Sequence, residues 1–259
     1  MSPKKPPMSD SAAASSGLVV ESVSKRFFEL RALDGISLRF DRGEILGLIG
    51  PNGSGKTTLI NVITGFFPPT AGRIQADGYD ITGWKPHRIA RAGLARTFQR
   101  VRLFNGLSVL ENVVVAGLSV GLSRQEAESD AYALLGELGM GRSAGAAANA
   151  LSYGHERLVE IARALAMRPR FLLLDEPAAG LDEKESNELL RRLAPIPEKR
   201  GLGILIVDHD MRLIMRLCHR LHVLNYGRTI GEGRPEEVRR IPEVVAAYLG
   251  TTAKAGANA

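Results

Sequence analysis

The eight residues Gly50-Pro51-Asn52-Gly53-Ser54-Gly55-Lys56-Thr57 constrain this chain more than any other feature. They match G-x-x-x-x-G-K-[ST] and stand between a short apolar run, residues 44 to 50, and a helical pattern from Lys56 to Thr64. Glycine has no Cβ, so the backbone can fold tightly enough for several N–H groups to face one phosphate. The helix that follows turns its positive end toward the same anion. Lys56 can reach β- and γ-phosphates, and the Thr57 hydroxyl can hold Mg²⁺.

The rest of the chain supplies the frame such a loop needs. Phe171–Leu174 and Ile204–Val207 are continuous apolar runs of strand length, the pattern of strands covered on both faces of a parallel sheet. Leu221–Leu224 is a further strand, and helices near Glu183–Leu193 and Asp210–Cys218 alternate with these runs. The run ending at Leu174 delivers Asp175 and Glu176 to a strand's C-terminal end, where ligands sit in open α/β sheets. Asp175 suits the Mg²⁺ shell, and Glu176, facing the other way, suits polarising a water. Earlier, Leu18–Val23, Ile36–Phe40 and Gly72–Ala76 read as strands, with turns at Asp34-Gly35, Asp41-Arg42-Gly43 and Asp77-Gly78. From Val109 to Met167 the pattern turns helical. Ser123 and Glu126 form a capping box, and a helix near Gly154–Met167 buries Leu158, Ile161, Ala162 and Leu165. The reading is an α/β core interrupted by an all-helical insertion near residues 100–165.

Composition removes other classes. No stretch approaches the roughly 20 apolar residues of a membrane helix. The single cysteine, Cys218, excludes an intramolecular disulfide. The net charge of +6 fits nucleic acid, an anionic membrane face or nothing specific, and the absence of a basic arm with only 5% aromatic residues speaks against nucleic acid. Residues 1–16 have basic residues but no apolar run behind them. They read as a disordered tail rather than a signal peptide, and residues 251–259 read as a second disordered tail.

With Leu151-Ser152-Tyr153-Gly154-His155 placed between the phosphate loop and Asp175-Glu176, the chain resembles the nucleotide-binding subunit of ABC transporters over residues 18 to 250. The resemblance implies a P-loop NTPase fold in residues 17–250. Its core, residues 17–99 and 166–250, has a mostly parallel sheet and an antiparallel β subdomain, and residues 100–165 form an inserted α-helical signature subdomain. It implies ATP held by Gly50, Pro51, Asn52, Gly53, Ser54, Gly55, Lys56, Thr57 and Thr58, with Phe27, beside Phe28, stacking on adenine. It implies Mg²⁺ held by Thr57, Gln99 and Asp175. Glu176, His209 and Lys56 become the catalytic residues, His209 as the γ-phosphate sensor. Asp182 becomes a dimer-interface residue, and Ser152 and Gly154 face the ATP of the other subunit. The signature segment departs from Leu-Ser-Gly-Gly-Gln, with Tyr153 in place of a glycine and His155 in place of the glutamine.

Finer features narrow the likeness. Arg96 to Phe104, Leu107 to Val113, Glu176-Pro177-Ala178-Ala179-Gly180-Leu181 and the ending Ala247-Tyr248-Leu249-Gly250 are similar to the LivG-type subunit of branched-chain amino acid importers. That likeness implies a second ABC ATPase subunit, two transmembrane permeases and, indirectly, a periplasmic binding protein. It places the chain at the cytoplasmic face of the inner membrane, as a peripheral subunit in contact with the permeases and not with nucleic acid. Kin of the same type serve urea, amides or lipopolysaccharide export. Soluble ABC ATPases that act on nucleic acid carry paired cassettes or coiled-coil inserts, and this chain has neither.

Overall fold

A computed structural model describes residues 17–99 and 101–255, with residues 249–255 given by backbone only. The tail expected over residues 1–16, Arg100, next to Gln99 in what the resemblance makes the Q-loop, and residues 256–259 lie outside the described residues. In chain order the strands are β1 (Leu18–Phe27), β2 (Leu30–Phe40), β3 (Ile45–Ile49), β4 (Ala71–Ala76), β5 (Tyr79–Asp80), β6 (Leu94–Arg96), β7 (Phe171–Asp175), β8 (Gly203–Val207), β9 (Arg220–Asn225) and β10 (Arg228–Gly233). The helices are α1 (Lys56–Ile63), α2 (Pro86–Arg91), α3 (Val109–Ser119), α4 (Arg124–Glu137), α5 (Tyr153–Ala166), α6 (Glu183–Leu193), α7 (Ile196–Arg200), α8 (Met211–Leu217), α9 (Pro235–Val238) and α10 (Pro242–Ala255).

One sheet is antiparallel, in the order β2-β1-β4-β5. The other runs β10-β9-β3-β8-β7-β6, with β9 to β6 parallel and β10 added antiparallel at the edge. The apolar strands alternate between two cores. Phe171 and Leu173 of β7 join Leu46, Leu48, Leu205, Phe40 and Leu59 on the face toward the antiparallel sheet and α1. Leu172 and Leu174 join Ile45, Ile204 and Ile206 on the other face, against Leu134, Leu158 and Ile161 of the helical segment. Burial on both faces is what removes the polar alternation from these strands.

Local chemistry sets the helix starts. Ser108 with Glu111 and Ser123 with Glu126 form capping boxes at α3 and α4, and Asp182 with Glu185 does the same at α6. The Asp77-Gly78 turn, with φ of 47° and 78°, closes the hairpin between β4 and β5.

One expected turn is absent. Asp34-Gly35 lies inside β2, because β1 and β2 continue past it to Phe27 and Leu30. The pairing slips between Val23↔Ile36 and Lys25↔Leu33, so two residues oppose one, and the Gly35 N–H donates to Ser24 Oγ at 2.9 Å. A glycine at φ 66° satisfies a β-bulge as readily as a turn. The hairpin reverses instead at Phe28-Glu29, with Phe28 at φ 52°. At the other end α10 runs on to Ala255, beyond Gly250 where the sequence reading ends the fold.

Candidate functional site

The C-terminal ends of four adjacent parallel strands gather most of the expected residues. β3 runs into the phosphate loop, β7 into Asp175 and Glu176, β8 into Asp208 and His209, and β6 leads to Gln99. Sequence distance disappears here because the strand order places β8 between β3 and β7.

The phosphate loop has the shape its glycines allow. Gly50 sits at φ 147°, and a Cβ there would lie 2.1 Å from Leu224 O. Gly55, at φ 109°, caps α1 with no side chain and leaves the first helical N–H groups without a side-chain cap. Ser54 Oγ is buried without a partner, an orphaned donor that an anion in the loop would satisfy. Lys56 folds over the loop, its Nζ donating to Gly50 O at 2.7 Å and Pro51 O at 3.0 Å. An ammonium has three donors, so one remains for an incoming oxygen. Burial pulls the Lys56 pKa down, while Glu176 and Asp175 pull it up.

Asp175 is buried, with Oδ2 paired to Arg96 Nη2 at 3.1 Å. Burial pushes its pKa up, Arg96 opposes this, and Glu176 adds to it. Glu176 has φ 50°, a left-handed backbone that is uncommon for a side chain of this kind, and its N–H is held by Val207 O at 2.7 Å. Its Oε2 accepts from Gln99 Nε2 at 3.0 Å. The His209 side chain is 70% exposed, with its nearest acid, Asp208 Oδ1, at 3.9 Å. Thr57 is exposed and Thr58 half-buried at the head of α1. The hydroxyl of Thr57, the amide oxygen of Gln99 and the carboxylate of Asp175 are hard oxygen donors, the set that Mg²⁺ prefers. Among the described residues no cluster of three or more His, Cys, Asp or Glu could hold a metal alone, so phosphate oxygens would have to complete such a shell.

Ser152, Gly154 and Asp182 form a separate group. Ser152 caps α5, accepting from His155 N–H at 3.5 Å, and Asp182 caps α6. The two segments touch: a Cβ on Gly154 would meet Glu185 Oε1 at 2.8 Å, and one on Gly180 would meet the Tyr153 ring at 3.1 Å. Phe27 is half-buried, edge-on to Phe67 at 5.2 Å with Lys25 Nζ 4.9 Å from its ring centroid. Phe28 is 99% exposed.

Three residues that the sequence reading passed over tie the groups together. Arg157, fully buried on α5, donates from Nη1 to Phe98 O and Glu160 Oε2, both at 2.8 Å, and from Nη2 to Gln99 O at 2.9 Å and Tyr153 OH at 3.0 Å. Glu160 accepts from the Phe98 N–H at 3.2 Å, and burial pushes its pKa up against the pull of Arg157. Asp208 is buried and accepts from Ala178 N–H at 3.1 Å and Asp210 N–H at 3.0 Å, tying the loop after β7 to the loop after β8. The available signal was a charged pair at i, i+3 interrupting the apolar stripe of α5.

A family model described as "ABC transporter" matches residues 33–179. A second, "Branched-chain amino acid ATP-binding cassette transporter", matches residues 228–254. The high-affinity branched-chain amino acid transport ATP-binding protein BraF of Pseudomonas aeruginosa is 40% identical over 248 residues, covering 90% of this chain and 97% of that protein. The LivG protein of Escherichia coli K12, named for the same transport, is also 40% identical with the same coverage. Among solved structures, the ADP conformation of MJ1267, an ATP-binding cassette of an ABC transporter, superimposes with TM-score 0.82 at 33% identity, covering 90% of this chain and 98% of that one. A dimeric post-hydrolysis state of the cassette MJ0796, bound to ADP and phosphate, gives TM-score 0.74 at 29% identity over 84% of this chain and 98% of its own.

Proposed function

This chain belongs to the ABC transporter ATP-binding family, and from that premise we propose that it hydrolyses Mg-ATP to drive import of branched-chain or related amino acids. The observation that carries the catalytic part is Glu176. A carboxylate held at a left-handed backbone angle beside buried Asp175, and hydrogen-bonded to Gln99, is placed by design of the fold and not by local preference.

The roles follow from the residues. The free N–H groups at the start of α1, the Ser54 hydroxyl and the remaining donor of Lys56 bind the β- and γ-phosphates. Phe27 stacks on adenine. Glu176 takes the proton of the attacking water as general base, and His209 approaches the γ-phosphate. Thr57, Asp175 and Gln99 hold Mg²⁺, which neutralises phosphate charge when bound. Gln99 releases Glu176 as it turns toward the nucleotide. α5 offers Ser152 and Gly154 to the ATP on a paired ATPase subunit, with Asp182 at that interface, so the site is complete only in the pair. The dimeric state of the related cassette supports this pairing.

Permease contact belongs to the surface around the Q-loop. Phe66, Phe98 and Phe104 are exposed there, with the Arg96 guanidinium 5.2 and 4.6 Å from the Phe66 and Phe98 rings and that of Arg163 4.7 Å from Phe104. Aromatic rings flanked by arginine are the composition of interface anchors. A permease bound here, one of two in the complex, holds the chain at the cytoplasmic face of the inner membrane and takes up the closure through residues 100–113. A periplasmic binding protein acts on the far side. The cargo rests on the match over residues 228–254 and on the names of the relatives.

The test uses the ATPase pair assembled with its permeases in vesicles. Glu176→Gln should still bind ATP and accumulate the closed pair, with hydrolysis and leucine uptake lowered by about 10²–10⁴-fold, the worth of a general base. Wild-type turnover by that variant refutes the assignment.

A further inference from the structure

The excess positive charge of this chain is confined to one segment. Between Asp80 and Glu111 stand six lysines and arginines and no acid, while the rest of the chain holds 28 of each sign, so the whole net charge of +6 belongs to residues 81–110. Arg96 is paired with Asp175, and Arg100 lies outside the described residues. Lys85, His87, Arg88, Arg91 and Arg102 are exposed, and among the described residues none of them makes an ion pair. On the antiparallel sheet, by contrast, Arg31, Arg39 and Arg73 are paired with Asp34, Asp41 and Asp80.

Most of this unpaired charge sits on α2 or at its start. Arg88 and Arg91 complement the negative C-terminal end of the helix, but Lys85 stands at the positive end, where an acid would be favoured. Helix stability therefore does not account for the set. The Arg88 guanidinium lies 3.7 Å from the Trp84 ring centroid. Tryptophan is enriched at membrane–water interfaces, and lysine and arginine on their cytoplasmic side. α2 also borders the aromatic surface given above to the permease. A Cβ on Gly65 would lie 2.2 Å from Trp84 O and 2.8 Å from the Ile89 side chain. The next residue, Phe66, is exposed, with its ring 6.0 Å from that of Phe98.

We propose that Lys85, Arg88 and Arg91, with Trp84, form a contact for anionic phospholipid headgroups of the cytoplasmic leaflet, beside the permease-docking surface. This rests on the transporter reading given above, in which a permease seated on Phe66, Phe98 and Phe104 brings the bilayer over α2. Charge complementarity selects lipid over a protein partner. No hydrogen bond to the rest of the chain fixes the three cations in a pattern, so they suit a fluid layer of phosphates better than a shaped acidic pocket. Their long stems let the charged ends reach that layer while Trp84 stays against the protein.

The test floats the full-length chain with vesicles of phosphatidylcholine alone or with about one-third phosphatidylglycerol, at low and high salt. The unsubstituted chain should bind the anionic vesicles, release them at high salt and ignore the neutral ones. Each basic residue near an anionic surface is worth about fivefold in partitioning, so Lys85→Gln with Arg88→Gln and Arg91→Gln should weaken binding about 10²-fold. Tm should change little, since these side chains are exposed and unpaired. Lys85→Arg with Arg88→Lys and Arg91→Lys keeps the charge and should keep the binding. Arg142→Gln with Arg191→Gln and Lys199→Gln removes as much charge from exposed positions elsewhere and should weaken binding far less. Equal losses in the two glutamine triples, wild-type binding by the α2 triple, or no binding by the unsubstituted chain would overturn the proposal. Loss of permease assembly in detergent by the α2 triple, with its vesicle binding intact, would assign the charges to an acidic permease surface and overturn it too. Failure of the unsubstituted chain to assemble with any permease would sink the transporter reading instead, while flotation would still judge the lipid contact.

Discussion

Replacing Arg157 by methionine tests the internal wiring of the site most directly. The guanidinium is fully buried and makes four contacts, to Phe98 O, Gln99 O, Glu160 Oε2 and Tyr153 OH, at 2.8 to 3.0 Å. Methionine fills the volume of the stem but carries no donor. It strands Glu160, 7% exposed, with the Phe98 N–H and the charge of Arg163, and leaves two Q-loop carbonyls unpaired. Breaking a buried ion pair from one side costs about 3–5 kcal/mol, a large part of a typical domain's stability. Burial already raises the Glu160 pKa, and Arg157 is the first influence opposing it. The variant's carboxyl therefore takes a proton more readily in the folded than in the unfolded state. Its deficit should be largest near pH 8 and shrink as the pH falls through the folded-state pKa. Urea unfolding at pH 8 and pH 5.5 measures both effects. Adding Glu160→Gln removes the stranded charge and should restore at least about 1 kcal/mol, without restoring ATPase activity, since the Phe98 and Gln99 carbonyls stay unanchored. A cost below about 1 kcal/mol for Arg157→Met, or simple additivity in the double variant, would refute the reasoning.

Two further expectations concern the nucleotide and acid pH. Phe27→Ala should weaken ATP binding by about 1–3 kcal/mol in a titration with a fluorescent analogue, the worth of one stacked base, while Phe28→Ala leaves it unchanged. A larger loss at Phe28 would move the adenine to the hairpin tip. Hydrogen bonds from Ser108 and Ser123 hold the Glu111 and Glu126 carboxyls below the usual glutamate value of 4.5. Folded values that are depressed stabilise above the unfolded pKa, and that support is lost as pH falls through the folded values. Protection of the amides in the first turns of α3 and α4 should therefore weaken below pH 4.5 ahead of that of β3, β7 and β8, and Ser108→Ala with Ser123→Ala should reduce this pH dependence without abolishing it, since the backbone N–H of each position still donates to its glutamate.

What was legible in the sequence is what the chain arranges over a few residues. The phosphate loop, the capping box at Ser123 and the strand carrying Asp175 and Glu176 depend on glycine's missing Cβ, on bonds spanning three residues, and on burial of an unbroken apolar run. Their physics is local, and so is their pattern. Asp34-Gly35 marks the limit of such reading, because an Asp-Gly pair serves a bulge as well as a turn, and the partner strand made the choice. Only the tertiary structure decided that Arg157 meets Phe98 across 59 positions and that Asp208 joins the loops after β7 and β8. These contacts are made by groups whose separation along the chain carries no periodicity. The order in which parallel strands stack brings them together, and no short stretch of residues records that order.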